Sequence, residues 1–217
     1  MMSHMNKIGC VFLILTVLAF AGTGCQNKTT SVTKARVEFK NTVEGNFFFI
    51  PEGSTAGYTK IDPDSLGNYA YEVELKEPGY FRYVGVNNNF YLVYLTPGAR
   101  VEIQEGTDGV VFAGDHAAEN MFLSKNVYLG AVPEDIPLYS AEWVSLNSEK
   151  VNRLIKNLET SGLNPDFIRL QTLKYHCDFY LQRLNGPTNT AMFAPQLKIE
   201  LADDFYDFMK EIYFSDS

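Results

Sequence analysis

The spacing of apolar residues changes near the middle of the chain, and this change constrains the fold more than any other feature. Between Ala35 and Phe112 they recur every second residue, interrupted by Gly, Pro and Asn, as in half-buried antiparallel strands. After Gly114 they recur at intervals of three and four, as on one face of a helix. Strands followed by helices predict an α+β protein, with an antiparallel β-sandwich or open barrel over 35–115 and an α-helical domain over 116–217.

Six or more short strands are expected in the first part. Residues 69–75, 80–86 and 90–95 alternate or are apolar throughout and are separated by short turns, so we expect them to pair as a meander. Pro97 and Gly98 then occupy the central positions of a type II turn.

Helix start and stop signals divide the second part. Asp115 is placed to cap a helix that runs towards Tyr128, and a second helix is expected to stop at Gly162. Asn164 followed by proline predicts the start of a third helix. Its expected buried stripe is Phe167, Leu170, Leu173, Cys177, Leu181 and Leu184, and its expected end is Asn185-Gly186-Pro187. A last helix is expected to bury Phe205, Phe208, Met209 and Ile212.

Residues 1–24 have the layout of an export signal: Lys7, an apolar stretch from Ile8 to Phe20, and small residues before Cys25. The apolar stretch is shorter than the roughly 20 residues that span a bilayer. The small residues before the cysteine resemble the lipobox of bacterial lipoproteins, although Gly22 stands where that family usually has Leu. The resemblance implies cleavage before Cys25 and its acylation, with 25–34 as a tether to the membrane.

Composition and charge limit the partners. With 46% hydrophobic and 20% charged residues, the chain is typical of globular proteins. Its net charge of −8 opposes binding to a phosphate backbone, so nucleic acid is not expected as a partner. The absence of acidic residues just after Cys25 favours an envelope lipoprotein that faces the periplasm.

No catalytic residue, metal site or cofactor is predicted. Once Cys10 is removed with the signal and Cys25 is acylated, Cys177 is left without a disulfide partner. His176 and Cys177 are adjacent on a helix and point about 100° apart, so they do not form a dyad. His116 is expected at the surface. The carboxylates of Asp203, Asp204, Asp207 and Glu211 are expected on a solvated helix face.

The chain has 13 Tyr and 16 Phe, which suggests either an aromatic binding surface or an aromatic core. The candidate surface consists of Tyr80, Tyr83, Tyr91, Tyr94 and Trp143. Core and cross-strand packing is the alternative for the same residues.

Several segments together resemble one family, the TlpA/ResA-like thiol-disulfide oxidoreductase lipoproteins of Bacteroidetes. The segments that resemble its N-terminal β-domain are 65–71, 91–103, 112–114 and 120–123. The segments that resemble the helical region that follows are 164–168 with Tyr175, and 203–208 with 214–216. The resemblance covers about residues 35–217.

In that family a thioredoxin domain with Trp-Cys-x-x-Cys follows the helical region, and the 217 residues contain no such motif. No catalytic residue is therefore carried over. The expected function is that of a non-catalytic accessory or binding module, anchored in the envelope by lipid, with a protein partner or ligand. The alternatives are a truncated or split oxidoreductase that acts with a separate thioredoxin domain, and a glycan- or peptide-binding lipoprotein.

Overall fold

A computed structural model of the chain describes residues 32–40, 47–54, 57–85, 89–106, 109–128, 130 and 135–210. Within these ranges, two four-stranded sheets are followed by three α-helices, so the protein is α+β, as predicted. The strands are β1 (Thr33–Phe39), β2 (Phe47–Pro51), β3 (Thr59–Ile61), β4 (Tyr69–Leu75), β5 (Gly79–Val84), β6 (Phe90–Leu95), β7 (Arg100–Gly106) and β8 (Gly109–Gly114). The helices are α1 (Ala117–Lys125), α2 (Ala141–Glu159) and α3 (Pro165–Phe193), and a 3-10 helix covers Asp207–Lys210.

The strands divide between the sheets in a way that contradicts the expected meander. Sheet A has the order β4-β1-β7-β8, and sheet B has the order β3-β2-β5-β6. Strand β4 pairs with β1, whereas β5 pairs with β2 and β6. The turn between β4 and β5 therefore carries the chain from one sheet to the other. Only the parallel pair of β1 and β7 departs from an antiparallel arrangement among the described ladders.

Buried side chains from both sheets form one apolar cluster. Aromatic rings dominate it: Phe49 stacks on Phe81 with ring centroids 5.2 Å apart, and Phe39 lies 5.1 Å from Tyr83. The alternate side chains of β4, beginning with Tyr69, pack against this cluster, as expected from the alternation of apolar and polar residues in 69–75.

The connection between β6 and β7 also behaves as predicted. Gly98 has a φ of 81°, which glycine adopts without strain, and the Ala99 backbone N–H donates to the Thr96 carbonyl at 3.1 Å. This type II turn leads from sheet B into sheet A.

The start of α1 differs from the prediction. Asp115 does not cap the helix; its carboxylate instead accepts a hydrogen bond from the Arg100 backbone N–H at 2.8 Å. His116 takes the cap position with a φ of 59°, and its Nε2 lies 2.8 Å from Thr96 Oγ1. Asp115 thus joins the helix entry to β7.

A second apolar cluster joins sheet B to the helices. It contains Tyr94 of β6, Leu123 of α1, Trp143 and Leu158 of α2, and Phe167 of α3. Since residues of β6 contribute to both clusters, both faces of this strand are covered, which explains its continuous apolar sequence.

Asn120 of α1 closes the free edge of β6. Its buried side-chain amide accepts from the Tyr94 backbone N–H at 2.7 Å and donates to the Tyr94 carbonyl at 3.2 Å. The side chain thus makes the hydrogen bonds that a neighbouring strand would make at this point. Without them, this part of the sheet edge would have to be solvated or covered in another way.

Helix α3 begins as predicted, with the Asn164 side chain accepting from the Asp166 N–H at 2.8 Å and Pro165 in the first turn. The predicted buried stripe is correct at its start, where Phe167 is buried and Leu170 packs against the second cluster, but it is wrong beyond that point. Leu173 is 60% exposed, and Cys177, Leu181 and Leu184 are also exposed. The residues that the helix buries are instead spaced every four positions: Phe167, Gln171, Tyr175, Phe179, Arg183 and Pro187. Large aromatic rings bury more surface than leucine, and they determine the orientation of the helix.

The predicted end of this helix is also wrong, because α3 continues through Pro187 to Phe193. Tyr139 packs beside this segment: a Cβ at Gly186 would lie 2.5 Å from the Tyr139 hydroxyl. That hydroxyl is also 2.9 Å from Thr190 Oγ1. Tertiary packing therefore outweighs the helix-breaking tendency of Gly186 and Pro187.

The last predicted helix is reduced to the short 3-10 helix. Phe205 and Phe208 are buried as expected, whereas Met209 is exposed and Ile212 lies outside the described residues. The described residues from Thr33 onward form one compact unit. The predicted boundary near residue 115 stays a prediction, and the signal peptide and most of the tether lie outside the described residues.

Candidate functional site

A cavity of about 330 Å³ opens between sheet B and the helices. Arg82 of β5 and Tyr91 of β6 line one side, and Gln171, Lys174 and Asp178 of α3 line the other. The three α3 residues are three, four and seven positions apart, which places them on one face of the helix. Concave sites of this size between a sheet and its covering helices are common places for ligands to bind.

Four charged groups form a connected cluster at the cavity. Lys174 Nζ lies 3.0 Å from Glu52 Oε2 and 3.0 Å from Asp178 Oδ2. Arg82 Nη2 lies 3.5 Å from Glu52 Oε1. The Lys174 side chain is only 14% exposed, so its charge is screened less by water than that of an ordinary surface lysine. Two cations and two carboxylates make the cluster neutral overall.

Burial changes the acidity of groups around the cavity. It raises the pKa of the Asp178 carboxyl, and this effect exceeds the opposing effect of the Lys174 ammonium. Burial also raises the pKa of the Tyr175 hydroxyl to about 12. The Tyr175 hydroxyl is therefore protonated at neutral pH and donates to the Asn126 carbonyl at 2.6 Å.

Gln171 is the most unusual of the lining residues. It is only 1% exposed, and its side-chain carbonyl oxygen, Oε1, has no hydrogen-bond partner among the residues that the structure describes. Leaving a buried carbonyl unpaired costs about 1–3 kcal/mol, so such atoms are rare unless something binds them. The nearby Tyr80 hydroxyl is also buried, with no partner in the described ranges, and Lys174 Nζ lies 5.7 Å from the centre of the Tyr80 ring.

The predicted aromatic surface is not assembled. Tyr83, Tyr94 and Trp143 are buried in the two apolar clusters, so the proposal that they form an exposed surface is wrong. Their rings pack against other core rings, as the alternative interpretation expected. Tyr80 is half-buried, and Tyr91 is the one of the five that lines the cavity.

Three other residues were singled out in the sequence: Cys25, Cys177 and His116. Cys25 lies outside the described residues. Cys177 is an exposed free thiol, which corrects its predicted burial. His116 is half-buried against Tyr94 instead of lying free at the surface.

In the part of the chain that the structure describes, no group of three or more His, Cys, Asp or Glu side chains is arranged to hold a metal ion. Likewise, none of the described helices is both long and apolar enough to cross a membrane.

The cavity residues were missed from the sequence because they come from distant segments. Glu52, Arg82 and Lys174 are unremarkable charged residues in isolation. One available signal was Gln171, a polar residue that lies four positions from both Phe167 and Tyr175. A polar residue within an aromatic series of period four indicates a buried polar group that needs a partner.

Comparisons of the chain with protein-family models, with curated proteins and with solved structures give no match.

Proposed function

We propose that this protein is a membrane-anchored envelope lipoprotein that acts as a non-catalytic binding module. In this proposal sheets A and B form a β-sandwich, and the fold is that of the N-terminal and helical regions of TlpA-like proteins. The observation that carries the binding role is the cavity between sheet B and α3, which is lined by Gln171, whose side-chain oxygen is unpaired among the described residues. The anchor is proposed from the sequence of residues 8–25.

A non-catalytic role is supported by the groups that line the cavity. Its carboxylates, Glu52 and Asp178, are engaged with Lys174, and the described part of the lining contains no Ser, Cys or His to act as a nucleophile or base. The cavity is therefore suited to recognition of a molecule.

The alternative role in thiol-disulfide exchange has one observation in its favour, the exposed Cys177 thiol. A thiol exchange cycle also needs a resolving thiol nearby, and the sequence has only Cys10 and Cys25 besides Cys177. We therefore place the redox role second.

The anchor is tested with Cys25→Ser in the bacterium that produces the protein. We expect this variant to lose incorporation of an alkyne fatty acid and to leave the membrane fraction. Cys177→Ser is the matched control, since it makes the same substitution at a cysteine outside the lipobox, and it should behave as wild type. Retention of the label by Cys25→Ser would contradict the lipoprotein proposal.

The non-catalytic role is tested by insulin reduction with dithiothreitol. We expect the protein to give no rate above the reductant alone. A rate that disappears in Cys177→Ser would move the redox role to first place.

A further inference from the structure

We infer that the cavity between sheet B and α3 binds a neutral saccharide of one or two rings. This inference rests on the proposed binding function and adds the chemical class of the ligand. The volume of about 330 Å³ lies at the small end of known ligand pockets, which range over about 300–1,000 Å³. It therefore suits a small molecule better than a folded partner.

The charges at the cavity favour a neutral ligand. Arg82, Glu52, Lys174 and Asp178 already compensate one another through contacts of 3.0–3.5 Å. An ionic ligand would add an uncompensated charge beside the poorly solvated Lys174, and placing such a charge away from water is costly.

Hydroxyl groups match the polar atoms that are present. Gln171 Oε1 needs a donor, the carboxylates of Glu52 and Asp178 also accept, and Lys174 and Arg82 donate. A hydroxyl group both donates and accepts, so several hydroxyls on one ring can serve all of these groups. A purely apolar ligand would leave Gln171 Oε1 without a partner, so the free-energy cost of burying this oxygen unpaired would remain.

Aromatic rings complete the site. Tyr91 and Tyr175 line the cavity, and Phe90 lies at its rim with 64% of its surface exposed. The exposed face of an aromatic ring packs well against the C–H face of a sugar.

The test is saturation-transfer NMR on the full chain in a zwitterionic detergent that has no sugar headgroup. The probes are glucose, N-acetylglucosamine, maltose and cellobiose at millimolar concentration. We expect transfer to at least one of them. Gln171→Leu should weaken that binding about tenfold, since one hydrogen bond to a buried group is lost. Gln196→Leu is the matched control, because Gln196 is an exposed glutamine, and it should bind as wild type does.

A second variant, Asp178→Asn, keeps the test decisive if Gln171→Leu does not fold; it should also weaken sugar binding. Absence of transfer to all four sugars, or transfer that neither variant changes, would overturn the inference. Binding of the dipeptide Gly-Phe in place of sugars, lost in Gln171→Leu, would overturn the saccharide class and leave the binding function standing. Failure of both sugars and dipeptide to bind would count against the binding function itself.

Discussion

Replacing Phe167 with alanine tests the packing of α3 against sheet B. Phe167 is fully buried, and its ring meets the Tyr94 ring edge-on at 5.0 Å and the Phe122 ring at 6.5 Å. A buried Phe→Ala change costs roughly 3–5 kcal/mol, a range that already includes lost ring contacts. Because two aromatic contacts are lost here, we expect the upper part of that range, about 4–5 kcal/mol.

For a domain of this size, 1 kcal/mol lowers the Tm by about 2–4 °C, so Phe167→Ala should lower it by about 8–20 °C. Thermal unfolding followed by circular dichroism measures this shift, and urea unfolding gives the free energy directly. Leu173→Ala is the control on the same helix, because its side chain is 60% exposed, and it should change stability by less than about 0.5 kcal/mol. Equal losses for the two variants, or a larger loss for Leu173→Ala, would refute the orientation of α3.

Three further predictions concern single side chains. The exposed Cys177 thiol should react rapidly with a thiol reagent in the folded protein, and slow reaction until denaturant is added would contradict its exposure. The pKa of Asp178 is raised from 3.8, so folding favours its protonated form; stability should therefore fall as the pH rises above about 4, and urea midpoints should show a weaker fall in Asp178→Asn. Asn120→Ala leaves the buried N–H and C=O of Tyr94 unpaired and should cost about 2–4 kcal/mol by urea unfolding, whereas the exposed Asn157→Ala should cost almost nothing.

The sequence predicted the positions of the strands well, because alternation with period two is a local property. It predicted the pairing of β5 with β6 but not the partner of β4. The short turn after β4 is compatible with a hairpin, yet β4 pairs with β1 and the next strand pairs in the other sheet. Pairing depends on which apolar faces meet in the folded core, and that information is spread over the whole chain.

The orientation of α3 shows why periodicity alone failed. The helix carries two apolar stripes, and the stripe with more leucines is the exposed one. The buried stripe contains Gln171 and Arg183, which a hydrophobicity pattern places outside. Arg183 is accommodated by a hydrogen bond to the Phe205 carbonyl and by the Phe208 ring, whose centroid is 4.1 Å from its guanidinium carbon. These partners lie in a segment far along the chain.

The candidate site could therefore not be predicted from the sequence, whereas most of the strands and helices could. Its charged residues come from a turn, a strand and a helix, and each alone resembles a solvated surface residue. Of the five aromatic residues proposed as a surface, Tyr91 alone lines the cavity.

The central position of β1 in sheet A has a consequence for the order in which the chain folds. Arg36 of β1 pairs with Arg100 of β7, so this contact closes a long loop that contains all of sheet B. The hairpins formed by β5–β6 and by β7–β8 close short loops and can form early at little entropic cost. We therefore expect β1, the first of the described strands to be translated, to be incorporated late. Until it is incorporated, β4 and β7 each present an unpaired edge, and a chaperone that shields those edges would protect the protein from aggregation during that interval.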